Sequence, residues 1–356
     1  MSVPYIRKEV LSMAAYQIPI DASAIKLNQN ESPWDVPGEI KVKIAERFLN
    51  TPLHRYPDAQ PILLKKQLAH FLGVWPDHLV IGNGSNVLIQ AMLLAFSVGR
   101  KVLTLSPSFS VYAAQSRLLS NQVIEVPLGS DFSMDIDRVK AAIESERPSL
   151  IFIANPNAPT GNLWKREDLL AIVALAPCPV VIDEAYYPFS RTTLIGDIKC
   201  LPKLIVLRTF SKAFAMAGVR LGYLVADIDM AIQISKVLLP FCVPVLSQIA
   251  AEVLLEEPQW IQSHVDRVVL ERDRVYVALC QFQSLQVYPS DANFILFRVL
   301  GGAGAHKELA ARLLRKKILI RDISDAHGPL ANCLRVSIGS PEENRRFLDE
   351  LGKILR

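Results

Sequence analysis

The chain has 356 residues, more than the roughly 100–200 of one average domain, so two domains are the starting expectation. Its 39 lysines and arginines exceed its 35 aspartates and glutamates by only 4, which is too balanced for a protein that coats nucleic acid or carries an acidic tail. With 51% hydrophobic and 21% charged residues, the composition excludes a disordered or collagen-like chain and is typical of an enzyme acting on small molecules.

The cysteines and the N-terminal segment indicate where the protein works. Its 5 cysteines are scattered and never spaced as C-x-x-C, which favours a reducing compartment and neither a disulfide framework nor a zinc site. MSVPYIRKEV lacks the apolar core and cleavage site of a secretory signal. The apolar stretch 237–255 is broken by Pro240 and Pro244, which indicates a kinked buried helix or hinge rather than a membrane span. We expect a cytoplasmic protein with no nucleic-acid, membrane or metal partner.

Between about residues 80 and 226, short β-rich runs alternate with helical patterns, which predicts an α/β fold with a mostly parallel sheet covered by helices. Strands are predicted at residues 79–81, 101–105, 123–126, 150–154, 179–183, 204–208 and 221–226. Runs such as VVID and LIVLR are continuously apolar, as strands buried on both faces require.

A smaller α+β domain is predicted to follow. A long helical pattern at 259–281 precedes strand-like runs at 294–297, 318–321 and 334–338, with helices at 306–316 and from 342 onward. The predicted division assigns residues 1–44 to an N-terminal arm that contributes to the small domain, 45–265 to the large domain, and 266–356 to the small C-terminal domain.

Four polar clusters follow four of the predicted strands, at the edge where an open α/β sheet forms its ligand crevice. GNGSN at 82–86 opens a helix, whose free backbone N–H groups can hold a phosphate; since Val87 replaces the third glycine of G-x-G-x-x-G, an ordinary strand-to-helix turn remains an alternative. NPNAPTG at 155–161 is a loop stiffened by prolines, either a rigid turn or a crevice lining.

The third and fourth clusters carry ionisable groups. Asp183 ends a buried strand and needs a partner, either a helix N-cap or a cationic cofactor nitrogen, because an unpaired buried carboxylate is costly. Lys212 follows strand 204–208 near Arg220; it is either a surface charge or, among cations, a neutral amine suited to imine chemistry with an aldehyde. Anion donors, a carboxylate, a phenol and an amine together match pyridoxal 5′-phosphate.

Six motifs then resemble the fold-type I pyridoxal-phosphate-dependent aminotransferases in matching order, and among these the pattern is most similar to the histidinol-phosphate aminotransferases. They are LNQNESP (27–33), RYPDAQP (55–61), NPNAPTG (155–161), VIDEAYYPF (181–189), RTFSKAFAMAGVRLGY (208–223) and LRVSIG (334–339). The resemblance runs from about residue 16 to the C-terminus. It implies amino transfer between L-histidinol phosphate and 2-oxoglutarate, giving imidazole acetol phosphate and L-glutamate in histidine biosynthesis.

The resemblance also implies roles for individual residues. Lys212 matches the lysine that carries the cofactor and moves the proton, Asp183 matches the partner of the pyridine nitrogen, and Tyr186 matches the tyrosine on the phenolic oxygen. Phe109 stands where an aromatic stacks on the ring; many relatives have tyrosine there, so stacking is kept and a phenolic hydrogen bond is not. The implied phosphate-binding set is Gly84, Ser85, Thr209, Ser211 and Arg220, with Asn86 as a further cofactor contact.

One position departs from the family pattern. Relatives usually have NPNNPTG, whose second asparagine also bonds the phenolic oxygen, and this chain has Ala158 there. Either Tyr186 carries that bond alone or Asn157 approaches with a water, so Asn157 is kept as a cofactor-binding candidate. One neutral hydrogen bond is worth about 0.5–1.5 kcal/mol, enough to retune the cofactor without abolishing the chemistry.

Substrate recognition is implied for Arg335 and Arg321, with Tyr16, Asn30 and, from the partner subunit of a homodimer, Tyr56. Two arginines suit a phosphate dianion, but they also suit the carboxylates of glutamate, and each could instead be a structural charge. The alternatives on this scaffold are an aromatic amino acid aminotransferase and a threonine-phosphate decarboxylase. A different class is a phosphate- or nucleotide-binding module without chemistry, built on the GNGSN turn.

Overall fold

The computed structural model describes residues 5–13, 15, 21, 23–325 and 328–355, which form two sheets covered by helices. The strands are β1 (Ile25–Leu27), β2 (Leu79–Gly82), β3 (Lys101–Ser106), β4 (Gln122–Pro127), β5 (Leu150–Ala154), β6 (Val180–Asp183), β7 (Leu204–Thr209), β8 (Gly222–Val225), β9 (Leu285–Val287), β10 (Phe294–Val299), β11 (Ile318–Asp322) and β12 (Cys333–Ser337).

The helices lie before, between and after these strands. They are α1 (Lys8–Leu11), α2 (Gly38–Leu49), α3 (Ile62–Leu72), α4 (Ser85–Phe96), α5 (Val111–Leu118), α6 (Ile136–Glu146), α7 (Arg166–Leu175), α8 (Tyr187–Ser190), α9 (Ile228–Ser235), α10 (Val245–Leu255), α11 (Pro258–Leu279), α12 (Ala305–Arg315) and α13 (Pro341–Leu355).

The large sheet has seven strands in the order β2-β8-β7-β6-β5-β3-β4. Only β8 runs antiparallel to its neighbours, so the predicted α/β fold with a mostly parallel sheet is confirmed. The seven predicted strands are all present, with bounds that differ by at most one residue at either end. Every residue of β5, β6 and β7 is buried, because helices cover both faces of these central strands.

The small sheet has five strands in the order β1-β11-β12-β10-β9. β1 pairs with β11 in parallel, opposite Ile318–Ile320, so residues 25–27 belong to the small sheet. The division of the chain at residues 44 and 265 stays a prediction; α11 runs unbroken across the second of these positions.

The apolar stretch 237–255 divides at its second proline. Residues 236–244 form turns, and α10 begins at Val245, directly after Pro244. Proline is favoured before a helix because it has no N–H to leave unbonded. Within the part of the chain that the structure describes, no helix combines the length and the apolar character that crossing a membrane requires.

A buried ion pair ties β7 to the segment after β6. Arg208 donates from Nε (3.0 Å) and Nη2 (2.7 Å) to Oε2 of Glu184, and both side chains are at most 5% exposed. Oε1 of Glu184 accepts from the backbone N–H of Leu194 at 2.7 Å, and the guanidinium lies 3.6 Å from the ring centre of Tyr187. Because the guanidinium of Arg208 and both carboxylate oxygens of Glu184 are hydrogen-bonded, the pair fixes the ends of β6 and β7 relative to each other.

We predict that Arg208→Met lowers the free energy of unfolding by about 3–5 kcal/mol, because it leaves the Glu184 carboxylate buried without its partner. Urea unfolding of the cofactor-free protein measures the loss. The control is Arg117→Met, which breaks an ion pair with Glu125 whose side chains are 57% and 42% exposed. The control should lose about 0–1 kcal/mol. Equal losses in the two variants would contradict the structural role of the buried pair.

Candidate functional site

Four polar clusters meet at one edge of the large sheet because the strands that carry them end at the same level. Asp183 at the end of β6 lies in register with Ala154 of β5, directly before the NPNAPTG loop. Gly222, at the start of the antiparallel β8, lies opposite both Thr209 of β7 and Gly82 of β2. The crevice is therefore assembled from strand ends, as in other open α/β sheets.

Two glycines allow a close approach of anion-binding groups. A Cβ on Gly84 would lie 2.7 Å from Nη2 of Arg220, and a Cβ on Gly222 would lie 2.4 Å from the backbone N of Ser85. Gly84 also has a φ of 83°, in the left-handed region that favours glycine. α4 begins at Ser85, so its N-terminal N–H groups and the Arg220 guanidinium face the same small space, which suits a phosphate.

The segment after β7 adds hydroxyl groups and an amine to this cradle. Oγ of Ser211 accepts from Nη1 of Arg220 at 3.3 Å and from Oγ1 of Thr209 at 3.0 Å. Nζ of Lys212 donates to the backbone oxygen of Gln29 at 3.0 Å. Burial lowers the pKa of Lys212 to about 8, and the nearby cations Arg335 and Arg220 act in the same direction.

Asp183 is 5% exposed and receives two hydrogen bonds. The hydroxyl of Tyr112 donates to Oδ2 at 2.6 Å, and the backbone N–H of Ala185 donates to Oδ1 at 3.0 Å. Burial raises the pKa of Asp183 to about 6, and the two hydrogen bonds oppose this shift. Both donors are uncharged, so a cationic nitrogen in the crevice would supply the countercharge that the carboxylate needs.

The segment after β1 reaches the same crevice from the small sheet. Nδ2 of Asn30 donates to the hydroxyl of Tyr186 at 3.0 Å, and the Asn30 backbone N–H donates to Oγ of Ser337 at 2.7 Å. Burial raises the pKa of Tyr186, although the cation Arg335 and the hydrogen bond from Asn30 lower it in part. Nη2 of Arg335 donates to the backbone oxygen of Asn28 at 3.1 Å.

Two arginines stand opposite each other in the small sheet. Arg321 of β11 and Arg335 of β12 are direct partners in an antiparallel pair, so their side chains leave the same face of the sheet. Like charges directly opposite each other destabilise a strand pair. An anion held between the two guanidinium groups would remove that repulsion.

Comparison with known proteins identifies the family. Residues 22–351 match the family model described as aminotransferase class I and II. The chain belongs to this family. Histidinol-phosphate aminotransferase 1 of Carboxydothermus hydrogenoformans is 40% identical over 99% of both chains, and the histidinol-phosphate aminotransferase of Aquifex aeolicus is 37% identical over 99% of this chain and 98% of its own. The predicted family is thus confirmed.

A solved structure shows that the fold is shared. Histidinol-phosphate aminotransferase of Sinorhizobium meliloti, in complex with pyridoxal-5′-phosphate, superposes with a TM-score of 0.88 and 24% identity, over 100% of this chain and 98% of that one. The predicted architecture, a large α/β part with a mostly parallel sheet and a smaller α+β part, is therefore that of a pyridoxal-phosphate-dependent aminotransferase.

Asn157 lies beside the crevice of this aminotransferase, but its amide is used within the loops. Nδ2 donates to the Pro107 oxygen at 3.0 Å and to Oγ1 of Thr160 at 2.8 Å, and Oδ1 accepts from Oγ of Ser108 at 2.9 Å. The side chain is fully buried. Asn157 therefore supports the loop that carries Phe109, and its contact with a cofactor stays a prediction.

The surroundings of the other predicted site residues differ. Phe109 packs edge-on against Tyr112, with ring centres 5.4 Å apart. Asn86 is exposed in the first turn of α4. Tyr56 is 81% exposed and stacks on Phe241, with ring centres 4.6 Å apart. Tyr16 lies outside the described residues.

The structure also shows contacts in the site that the sequence analysis did not assign. Asn28 and Gln29 belong to the LNQNESP motif, but they accept from Arg335 and Lys212 through backbone oxygens, which any residue could supply. Tyr112 holds the Asp183 carboxylate from α5. Its signal is weak: it is the last residue of SPSFSVY, three positions after Phe109, a spacing that also occurs wherever a helix buries two aromatics.

We predict that the Lys212 amine of the cofactor-free protein reacts with an amine-acylating reagent with a midpoint near pH 8, well below the ordinary value of 10.5. Arg335→Gln should raise this midpoint, because removing a neighbouring cation makes the protonated amine less unfavourable. Mass spectrometry of the peptide that contains Lys212 measures the labelling. Arg117→Gln, on the helix that faces the edge strand β4, is the control and should leave the midpoint unchanged. A midpoint that stays the same in Arg335→Gln would refute the electrostatic coupling.

Proposed function

We propose that this chain is a pyridoxal-phosphate-dependent histidinol-phosphate aminotransferase. It transfers the amino group of L-histidinol phosphate to 2-oxoglutarate, giving imidazole acetol phosphate and L-glutamate in histidine biosynthesis. The observation that carries the substrate assignment is the directly opposed pair Arg321 and Arg335, whose second member lies near Lys212. The names of its relatives agree with this assignment. We place the enzyme in the cytoplasm, on the cysteine pattern.

The residues of the crevice fit the four polar parts of pyridoxal phosphate. Lys212 would carry its aldehyde carbon, Asp183 would pair with its pyridine nitrogen, and Tyr186 would bond its phenolic oxygen. The cradle formed by Gly84, Ser85, Thr209, Ser211 and Arg220 would hold its phosphate, with Asn86 at its rim. The fit is supported by the space at Gly84 and Gly222, which a Cβ would fill. When bound, the cofactor supplies an electron sink for the carbon that loses its proton.

Lys212 moves the proton in this proposal. When it is not linked to the cofactor, Nζ is an amine with a pKa near 8, so a useful fraction is neutral close to neutral pH and can take the proton from the substrate carbon that bears the amine. The same Nζ, protonated in this way, would then be the general acid that returns the proton. The backbone oxygen of Gln29 accepts a hydrogen bond from Nζ and thereby fixes its position.

Asp183 and Tyr186 hold the ring in its reactive form. An ionised Asp183 stabilises a protonated pyridine nitrogen, which an electron sink requires. Asn30 donates to the Tyr186 oxygen and so leaves the hydroxyl proton free to bond the phenolic oxygen. Ala158 cannot supply the second hydrogen bond that relatives have, and the Asn157 amide is already bonded in the loop. We therefore assign the phenolic-oxygen bond to Tyr186 alone.

The arginine pair would bind the substrate phosphate. A dianion between two guanidinium groups forms charge-assisted hydrogen bonds with both and removes their mutual repulsion. The same pair would accept the distal carboxylate of 2-oxoglutarate or glutamate in the second half of the reaction. Asn30, Tyr16 and Tyr56 of the neighbouring subunit complete the proposed substrate site.

We predict that the purified enzyme with pyridoxal phosphate and 2-oxoglutarate turns over histidinol phosphate, and that Lys212→Ala abolishes turnover. Arg321→Gln and Arg335→Gln should each lower kcat/KM for histidinol phosphate by about 10- to 100-fold, the loss expected for a charged hydrogen bond of about 1.5–3 kcal/mol. Arg298→Gln is the matched control, since Arg298 lies in the same sheet and donates to the Pro329 oxygen instead.

Steady-state kinetics on three amino donors decide the substrate. Histidinol phosphate should have the highest kcat/KM, and phenylalanine turnover should be less sensitive to the two arginine substitutions because phenylalanine offers a carboxylate monoanion rather than a phosphate dianion. A higher kcat/KM for phenylalanine would make the chain an aromatic aminotransferase. Carbon dioxide release from O-phosphothreonine at a higher kcat/KM would make it a decarboxylase.

A homodimer is part of this proposal. Large apolar side chains are exposed on two segments of the large part of the chain, namely Leu49 (82%), Leu53 (63%), Tyr56 (81%), Leu239 (78%) and Phe241 (42%). Such a concentration of apolar surface marks a protein interface. We propose that a second copy covers it, and that Tyr56 then enters the crevice of that copy.

Two mixed dimers test the trans arrangement. When a wild-type chain pairs with a chain that carries both Tyr56→Phe and Lys212→Ala, the single pocket that keeps its lysine receives the altered residue 56, so KM for histidinol phosphate should rise. When a Tyr56→Phe chain pairs with a Lys212→Ala chain, the working pocket receives an intact Tyr56, so KM should equal the wild-type value. The reverse pattern would place Tyr56 in its own pocket.

A further inference from the structure

The sequence around Tyr112 does not indicate the position that this residue takes in the structure. It lies in α5, it is fully buried, and its hydroxyl donates to Oδ2 of Asp183 at 2.6 Å. This distance lies in the range of charge-assisted O–H···O⁻ bonds, which are about twice as strong as neutral ones. Among the described residues, this hydroxyl is the side-chain group that donates to Asp183, and the second donor is the backbone N–H of Ala185.

The ring of Tyr112 is clamped between two other aromatic rings. It stacks on Phe152 with centres 4.8 Å apart and planes 8° apart, and the Phe109 ring meets it edge-on at 5.4 Å and 82°. Phe152 belongs to β5, where it is in register with Val181 of β6, two residues before Asp183. In a close-packed interior the hydroxyl cannot turn away unless its neighbours move, so the direction of its hydrogen bond is fixed.

The other ionisable groups near Asp183 do not replace this contact. Glu184 is adjacent in sequence, but its carboxylate is bonded to Arg208 and to the backbone of Leu194. The hydroxyl of Tyr186 accepts a hydrogen bond from Nδ2 of Asn30. Burial favours the neutral form of Asp183, and a hydrogen bond donated to its carboxylate favours the ionised form.

We propose that Tyr112 is a positioning residue for the cofactor. Its hydroxyl keeps the Asp183 carboxylate ionised and directed at the pyridine nitrogen. Its ring supports Phe109, the predicted stacking partner of the pyridine ring. One side chain thus sets both the charge partner and the stacking partner of the same heterocycle. The role rests on the proposed cofactor but not on the identity of the amino donor.

The first test needs no cofactor. The infrared band of the protonated Asp183 carboxyl group, identified by its absence in Asp183→Asn, is followed as a function of pH in the cofactor-free protein. Tyr112→Phe should raise the midpoint of this titration by about one pH unit or more, since it removes a bond to the ionised form. Tyr223→Phe is the matched control: Tyr223 is equally buried, but its hydroxyl contacts Arg208. An unchanged midpoint in Tyr112→Phe would overturn the proposal, even if the variant melts at a lower temperature.

The second test uses the holoenzyme and no substrate. With cofactor labelled with ¹⁵N in its ring, the wild-type protein should show a protonated nitrogen between pH 6 and 9, and Tyr112→Phe should show partial deprotonation in this range and about tenfold weaker cofactor binding. A ¹⁵N shift and an affinity equal to those of the wild type would also overturn the proposal. If the protein binds no pyridoxal phosphate, the proposed function is wrong. The infrared titration of the cofactor-free protein would still decide the role of Tyr112.

If Tyr112→Phe fails to fold, replacement of Tyr112 by 3-fluorotyrosine keeps the packing and makes the hydroxyl a stronger donor. The Asp183 midpoint should then fall below its wild-type value. A midpoint that does not move would count against the proposal as directly as an unaffected Tyr112→Phe.

Discussion

Two ionisable side chains share the carboxyl edge of one sheet, and burial drives each of them toward its neutral form. Burial raises the pKa of Asp183 to about 6 and lowers that of Lys212 to about 8. A heterocycle that carries an aldehyde and a cationic nitrogen needs two partners from the protein. One is an amine that is easily deprotonated, and the other is a carboxylate that lacks a cation. The fold creates this situation by ending β6 at Asp183, opposite Leu207 of β7, and β7 at Thr209, opposite Gly222, which lies against the start of α4 at Ser85. The rest of the crevice refines it through Tyr112, Gln29 and the anion cradle.

Unfavourable charge interactions also occur in the small sheet. Arg321 and Arg335 repel each other across a strand pair, and Arg335 also lowers the pKa of Lys212. An anion bound between them would ease the repulsion and at the same time weaken the field that keeps the amine neutral. Under the proposed function, substrate binding and proton transfer would therefore be linked through the guanidinium group of Arg335.

The sequence predicted the large sheet well because its strands are buried on both faces, which leaves continuous apolar runs bounded by polar turns. β5 agrees with its prediction at both ends. Asp183 was conspicuous as a charged residue at the end of a buried strand and Lys212 as one shortly after the next strand, whereas the role of Arg335, in the middle of β12, was implied by the resemblance. The sequence did not indicate Tyr112, because a buried aromatic on a helix resembles any core residue until its hydroxyl partner is known. The cofactor contact of Asn157 stays a prediction, and its amide is bonded within its own loops.

Two groups of consecutive residues connect the small sheet to the large one. The Gln29 oxygen receives Lys212 and the Asn30 amide holds Tyr186, while the Asn28 oxygen receives Arg335 of β12 within the small sheet. These residues directly follow β1, which is paired to β11 and therefore moves with the small sheet. The position of β1 in the small sheet thus determines two contacts in the large part of the chain, one on the amine and one on the phenol. A substitution that displaces β1 would therefore act on Lys212 and Tyr186 together.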